Sequence, residues 1–263
     1  MFGLIAKPPS WVFAGFGKHP LAGDFIRVGT ETPLLQGFSA WMDLGFSKIP
    51  EELGRLNDVA WNFWALGPGE KLILGHVKSS TDRLGRSHPL LLLGEGKPRE
   101  IFSDNWDLWP FFCETAWKDL AVVSGRTAKS IRDFERHLSR TSPPSATLRS
   151  CIQRRERMKH MELRIPGSPS RHPSDFINKM NNVEGLCRMD CFSVCMDVGH
   201  PDNVLEPVAK LLGLLKTRAR IEPRAVFIGG RAGSCRTVVF RRSLQPADVH
   251  RLWNREEKGN HER

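Results

Sequence analysis

The sequence predicts an α+β fold built on antiparallel strand pairing, and three observations carry that reading. Strand-like and helix-like pieces alternate along the chain. Three apolar runs between residues 61 and 93 follow one another through short connections, as antiparallel neighbours do. Amphipathic stretches with helical spacing stand before and after them. A chain of 263 residues can bury roughly 70 to 75% of the surface its unfolded form exposes, so its core needs neither disulfide nor metal.

The elements follow in order. Trp11 to Phe16 reads as a strand, and Pro33 to Phe46 as a helix with Leu34, Leu35, Phe38, Met42 and Phe46 on one stripe. Trp61 to Leu66 and Leu72 to Val77 read as strands about the turn Gly67-Pro68-Gly69, and Pro89 to Leu93 as a third, buried strand. Residues 105–121 repeat apolar positions at helical spacing through Trp109, Phe112, Cys113, Ala116, Trp117 and Leu120. Polar helices are expected over 126–140 and 145–160, broken at Pro143 and Pro144. The carboxyl-terminal part reads as a helix at 173–182, a strand from Leu186 to Val198, a helix from Val204 to Arg218, strands at Ala225 to Ile228 and Cys235 to Phe240, and a last helix from Pro246 to Trp253.

Composition excludes several classes. A hydrophobic share of 40% rules out wholesale disorder, and the absence of Tyr removes any phenolic nucleophile or acid. No segment approaches the roughly 18 uninterrupted apolar residues of a membrane-spanning helix, so no membrane insertion is expected. The amino terminus carries Lys7 and a Pro pair where a signal peptide needs its apolar core. Six cysteines are too sparse for a disulfide scaffold and suit a reducing compartment. The expected location is cytoplasmic.

The net charge of +10 is unevenly spread. Residues 1–120 hold 12 basic and 14 acidic side chains, whereas 126–172 hold 12 and 4. Ser and Pro interrupt the bases of that middle stretch, and Phe134 is its one aromatic residue. The pattern reads as a solvated segment or weak docking arm, with nucleic acid not expected as a partner.

Motifs that could carry chemistry mostly fail on spacing. Gly15-Phe-Gly17-Lys18-His19-Pro20 lacks the first Gly and the hydroxyl of a phosphate loop, and Pro20 occupies the third Gly of a dinucleotide fingerprint. Up to Gly23-Asp24-Phe25 it reads as a loop with freedom for positive φ at three glycines and a fixed turn at Pro20. Cys187, Cys191 and Cys195 share one face of either a helix or a strand, the alternation of Phe192, Val194, Met196 and Val198 favouring the strand, but have no second ligand pair at cage spacing, so buried thiols are expected and no metal or cofactor. Ser79, Ser80, Asp82 and His88 lack a nucleophile elbow. His76 and His88 near strand ends read as partly buried histidines.

The most distinctive stretch is Ser80-Thr-Asp82-Arg83-Leu-Gly85-Arg86-Ser-His-Pro89, a polar turn between apolar strands. Asp82 can accept from amides two residues on, Gly85 can turn left-handed, and Arg83 and Arg86 are forked donors. The bland reading is a hairpin kept soluble by its charges. The functional reading pairs an Arg of this turn with Asp24, making one polar surface beside the glycine loop.

Together, GFGKHPLAGDFIRVG (15–29) and WNFWALGPGEKLILGHVKSSTDRLGRSHPLLLL (61–93) resemble the signature of the TagF family of type VI secretion-associated proteins. The carboxyl end from Pro223 to Trp253 is similar to that family's. The resemblance implies a mainly antiparallel sheet covered by helices, longin-like. It divides the chain into a family-like region 1–125, a basic helical insert or linker 126–172, and a carboxyl-terminal α/β part of the same domain, 173–263. It also implies a bacterial, non-enzymatic regulator that represses secretion after translation by binding a component of the apparatus such as a forkhead-associated scaffold protein. Position by position it assigns Lys18, Asp24, Ser80, Asp82, Arg83 and Arg86 to partner contact, and Gly17, Pro20, Gly23, Phe25, Gly85 and Pro89 to loop shape. Trp61 and Trp64 are expected in the core or a groove wall. The alternative is a small-molecule or nucleotide-sensing domain with its pocket between the Gly15–Asp24 loop and the Asp82–Arg86 turn; a hydrolase using Ser80 and His88 is a weaker one.

Overall fold

The computed structural model describes residues 11–51, 59–98, 103–159, 189–196, 204–220, 222–231 and 235–254. The elements are β1 (Val12–Lys18), β2 (Phe25–Gly29), α1 (Pro33–Phe46), β3 (Val59–Leu66), β4 (Leu72–Lys78), β5 (Leu90–Gly96), α2 (Trp109–Gly125), α3 (Ile131–Leu138), α4 (Leu148–Arg157), β6 (Cys191–Met196), α5 (Leu205–Leu214), β7 (Ala225–Arg231), β8 (Cys235–Phe240) and α6 (Ala247–Trp253). The strands form one eight-stranded sheet in the order β2-β1-β5-β4-β3-β7-β8-β6. Every pairing is antiparallel.

The sheet is buried on both faces. Leu90 and Leu92 point toward α2, α3, α4 and α5, with Trp64, Leu74, Trp109, Trp117 and Phe134 in the same cluster. Leu91 and Leu93 point to the opposite face, where Phe38 and Met42 of α1 and Leu252 and Trp253 of α6 pack on Phe63 and Phe227. That two-sided burial explains why β5 reads as a continuous apolar run rather than an alternating one. Phe63 lies between the rings of Phe38 and Phe227, at centroid distances of 4.9 and 4.8 Å. Trp61 and Trp64 are both fully buried in the core.

Local chemistry sets the helix limits. Thr32 caps α1 by accepting from the Leu35 amide, and Pro33 fills the first position, where a missing N–H costs nothing. Ser130 and Thr147 cap α3 and α4 in the same way. These two helices are shorter than the sequence suggests, and they are anchored rather than solvated. Phe134, Leu138, Cys151 and Met158 enter the core. Arg154 pairs with Glu114 and stacks 4.2 Å from the Phe111 ring centroid. The buried Asp107 bridges Arg155 and Lys216, each at 3.0 Å. The bases of 126–159 therefore bind the fold's own acids in part, which corrects the reading of that stretch as a loose arm. The helix expected at 173–182 and Cys187 lie outside the described residues.

One strand escapes the sequence reading. The end of the glycine stretch is β2, paired with β1 from Ala14↔Gly29 to Lys18↔Phe25. Gly15 and Gly17 are themselves inside β1, and of the three glycines with freedom for positive φ only Gly17 uses it, at +107°.

Candidate docking site

Because β1 and β5 are neighbours, with Gly17 opposite Leu90, the turn that leaves β1 and the turn that enters β5 emerge side by side. Gly17 makes this approach possible: a Cβ there would lie 1.9 Å from the carbonyl oxygen of Pro89. The first turn is held by the Ala22 amide donating to His19 O, and the two turns are joined where the Arg83 amide donates to Ala22 O at 2.8 Å. Gly85 closes the second turn with φ +78°, its amide donating to Asp82 O. A single bridge between Thr81 and Ser87 frames it.

Asp82 is the centre. Its side chain is wholly covered, and both oxygens are used. Oδ1 accepts from the Leu84 and Arg86 amides, each at 2.9 Å. Oδ2 accepts from Arg86 Nε at 2.7 Å and faces Lys18 Nζ at 3.2 Å. Burial by itself would raise the Asp82 pKa, but the Arg86 amide, the Lys18 ammonium, the Arg86 guanidinium and the Leu84 amide outweigh it and hold the group at about 2. The carboxylate is a fixed anion at any physiological pH. Arg86 reaches on to the first turn, donating from Nη2 to Gly23 O at 2.7 Å.

The structure thus brings together the residues the sequence singled out and sorts them into two shells. Lys18 and Asp82 are buried, so they cannot meet a partner and instead lock the turns together. This corrects their assignment to partner contact. Asp24 stands outside, 3.8 Å from Arg86, with both side chains largely in water, so the pair proposed as the hinge of the surface is the outer one. Arg83 is exposed, and Ser80 is half-buried at the edge. Phe25 begins β2, 50% exposed, with Lys18 Nζ 5.4 Å from its ring centroid. Leu84 at the turn's tip is 69% exposed, a residue the sequence reading passed over although an apolar tip on a polar turn is itself a signal.

His88 closes the base of this face. Its ring packs on Phe25 and Phe46 at 4.6 and 5.1 Å, while its nitrogens face Pro89 O and Asp43 Oδ1. With both nitrogens so engaged, the ring has none to offer Ser80. His76 sits deeper in β4, bonded through Nδ1 to Asn62, and burial followed by the nearby Lys78 charge pushes its pKa down to about 4. Burial raises the thiols of Cys191 and Cys235 to about 11, so neither is a thiolate at neutral pH. Among the described residues, no group of three or more His, Cys, Asp or Glu could hold a metal ion. No helix among them is long and apolar enough to cross a membrane.

Residues 14–140, which contain both turns, match the TagF N-terminal domain, type VI secretion system-associated. That match, over just under half of the chain, supports a TagF family assignment. The matched segment runs from within β1 past α3, so it includes the first helix of the basic stretch. Across the whole fold the chain is similar to PA0076 from Pseudomonas aeruginosa PAO1, with a TM-score of 0.53 and 15% identity over 94% of this chain and 96% of that one. At that identity the likeness speaks for the fold: an antiparallel α+β architecture that spans both the matched segment and the carboxyl-terminal strands. No curated protein matches the chain. Its association with type VI secretion rests on the family match.

Proposed function

We propose that this chain is a non-enzymatic cytoplasmic regulator that holds type VI secretion off after translation, by binding a component of the apparatus such as its forkhead-associated scaffold protein. One observation carries the reading: Arg83 and Asp24 are exposed beside the exposed Phe25 and Leu84, with Arg86 half in water while its guanidinium holds Asp82 and Gly23 O, on a turn whose backbone is fixed from below by Asp82. Forked cations next to apolar anchors on a rigid loop are what a protein partner binds, because little side-chain and loop freedom is lost on docking. A closed cleft with the two arginines turned inward would have favoured a small ligand at this spot.

The test is a paired one. Arg83→Glu with Leu84→Ala changes only exposed side chains. Calorimetric titration with the purified scaffold protein is expected to show binding by the wild type and a loss of about tenfold or more in the variant. Cells carrying the variant are expected to secrete where wild-type cells do not. A variant that binds and represses like the wild type would overturn the proposal.

A further inference from the structure

Behind the docking face lies a feature it does not use. Where β4 ends, Lys78 and the hydroxyl residues that follow run past the carboxyl-terminal end of α2, leaving a cavity of about 400 Å³ against His19 of the first turn. That is the size of a small-metabolite site. Its lining includes Lys78, Arg126 and His19 together with five hydroxyl side chains, and no Asp or Glu.

The electrostatics of this wall are unbalanced. Lys78 is half-buried and donates to Ser124 O at 3.0 Å, which occupies one of its three N–H groups. Among the described residues no carboxylate pairs with it, and burial lowers its pKa. His19 is buried; its Nδ1 accepts from the Leu21 amide, so the neutral ring carries its proton on Nε2 as a donor. Burial first and then the Lys78 charge lower its pKa, keeping the ring neutral. Ser79 is 8% exposed, and among the described residues its Oγ has no hydrogen-bond partner. A partly desolvated cation without a counter-charge in a cavity wall that also carries hydroxyl residues is relieved by an anion rich in acceptor oxygens. A phosphate group meets this better than a carboxylate, because it brings three acceptor oxygens and up to two charges to a site with two cations and several hydroxyls.

We infer that this cavity binds a small phosphate-bearing molecule, with Lys78 as its principal cation and Arg126 at its mouth. The inference stands apart from the docking proposal, since its cations, Lys78 and Arg126, are not docking residues and its ligand is of another class; Ser80 alone borders both.

The experiment is an amide-resonance NMR titration of the full chain with inorganic phosphate and with ribose 5-phosphate, using ribose and chloride as controls. Both phosphates are expected to give saturable shifts at His19, Ser79, Ser80 and Gly125, with neither control doing so. Lys78→Gln is expected to weaken binding about tenfold or more. Should that variant not fold, Arg126→Gln, which alters an exposed side chain, is expected to weaken binding severalfold. No saturable shift at those residues with either phosphate, equal shifts with ribose, or undiminished binding by the folded variant would overturn the inference. None of these readings depends on the scaffold protein or on secretion.

Discussion

Besides their hydrogen bonds to Ala22 O and Gly23 O, the same two turns are joined by two ion pairs, Lys18 to Asp82 underneath and Arg86 to Asp24 on top. The ties differ in what water does to them. Lys18 and Asp82 have side-chain exposures of 9% and 0%, whereas Arg86 and Asp24 have 52% and 74%. The lower tie is short and supported by two backbone amides, so breaking it strands a buried charge. The upper tie is long and screened, worth about 0 to 1 kcal/mol at most. The inner pair shapes the site, and of the outer pair Asp24 stands in water while Arg86 also reaches in to Asp82. Charged residues close together in sequence and space can therefore have opposite jobs, separated by depth alone.

The strongest way to break this contrast is Asp82→Ala. It leaves Lys18 and two turn amides without their acceptor and should lower the melting temperature by roughly 10 °C. Gly17→Ala should be comparably harmful, since its Cβ would collide with Pro89 O. A drop of only a degree or two in either variant would refute the internal role given to the lower tie.

Acid should act on buried groups and spare the surface. His76 is pushed below its ordinary value of 6.5 to about 4, so the unfolded chain binds the extra proton first. Its contribution is complete above pH 6.5 and is lost as the pH falls from there to about 4, amounting to about 3 kcal/mol. Asp82 follows, with its contribution complete above 3.8 and lost as the pH falls toward about 2. Denaturant melts as a function of pH should show the first loss in the wild type and not in a folded His76→Gln variant.

The smallest effect should come from the upper tie. Asp24→Asn is expected to change stability by less than about 1 kcal/mol in chemical denaturation. A larger cost would mean that the two ties are not distinct.

The sequence was legible where local rules suffice. α1 was readable end to end because Thr32, Pro33 and the spacing of Leu35, Phe38 and Met42 agree. β8 has the bounds its apolar run suggests. β5 runs past Leu93 to Gly96, because the buried Glu95 is accommodated by Lys71 and Thr32 from other elements. β2 was hidden by its glycine-rich approach, although Ile26 and Val28 face inward while Phe25 and Arg27 face outward, a period of two over five residues. The Asp82 turn was half legible: its bond to the amide two residues on follows from local chemistry. That Lys18 lies beneath it follows only from the pairing of β1 with β5, which no local pattern specifies. The pairing of an Arg with Asp24 was legible, but the ion pairs of Lys18 and Arg86 with Asp82 were not, because that adjacency was not visible. The cavity was hidden for the same reason, since Ser124 and Arg126 reach Lys78 only through the packing of α2 on β4.

The central claim, that the outer face docks and the inner tie merely holds, is tested most directly by measuring secretion and melting temperature side by side in Asp24→Asn combined with Arg83→Gln. The account predicts derepressed secretion from a protein that melts like the wild type. Repression at the wild-type level by that equally stable variant would contradict it.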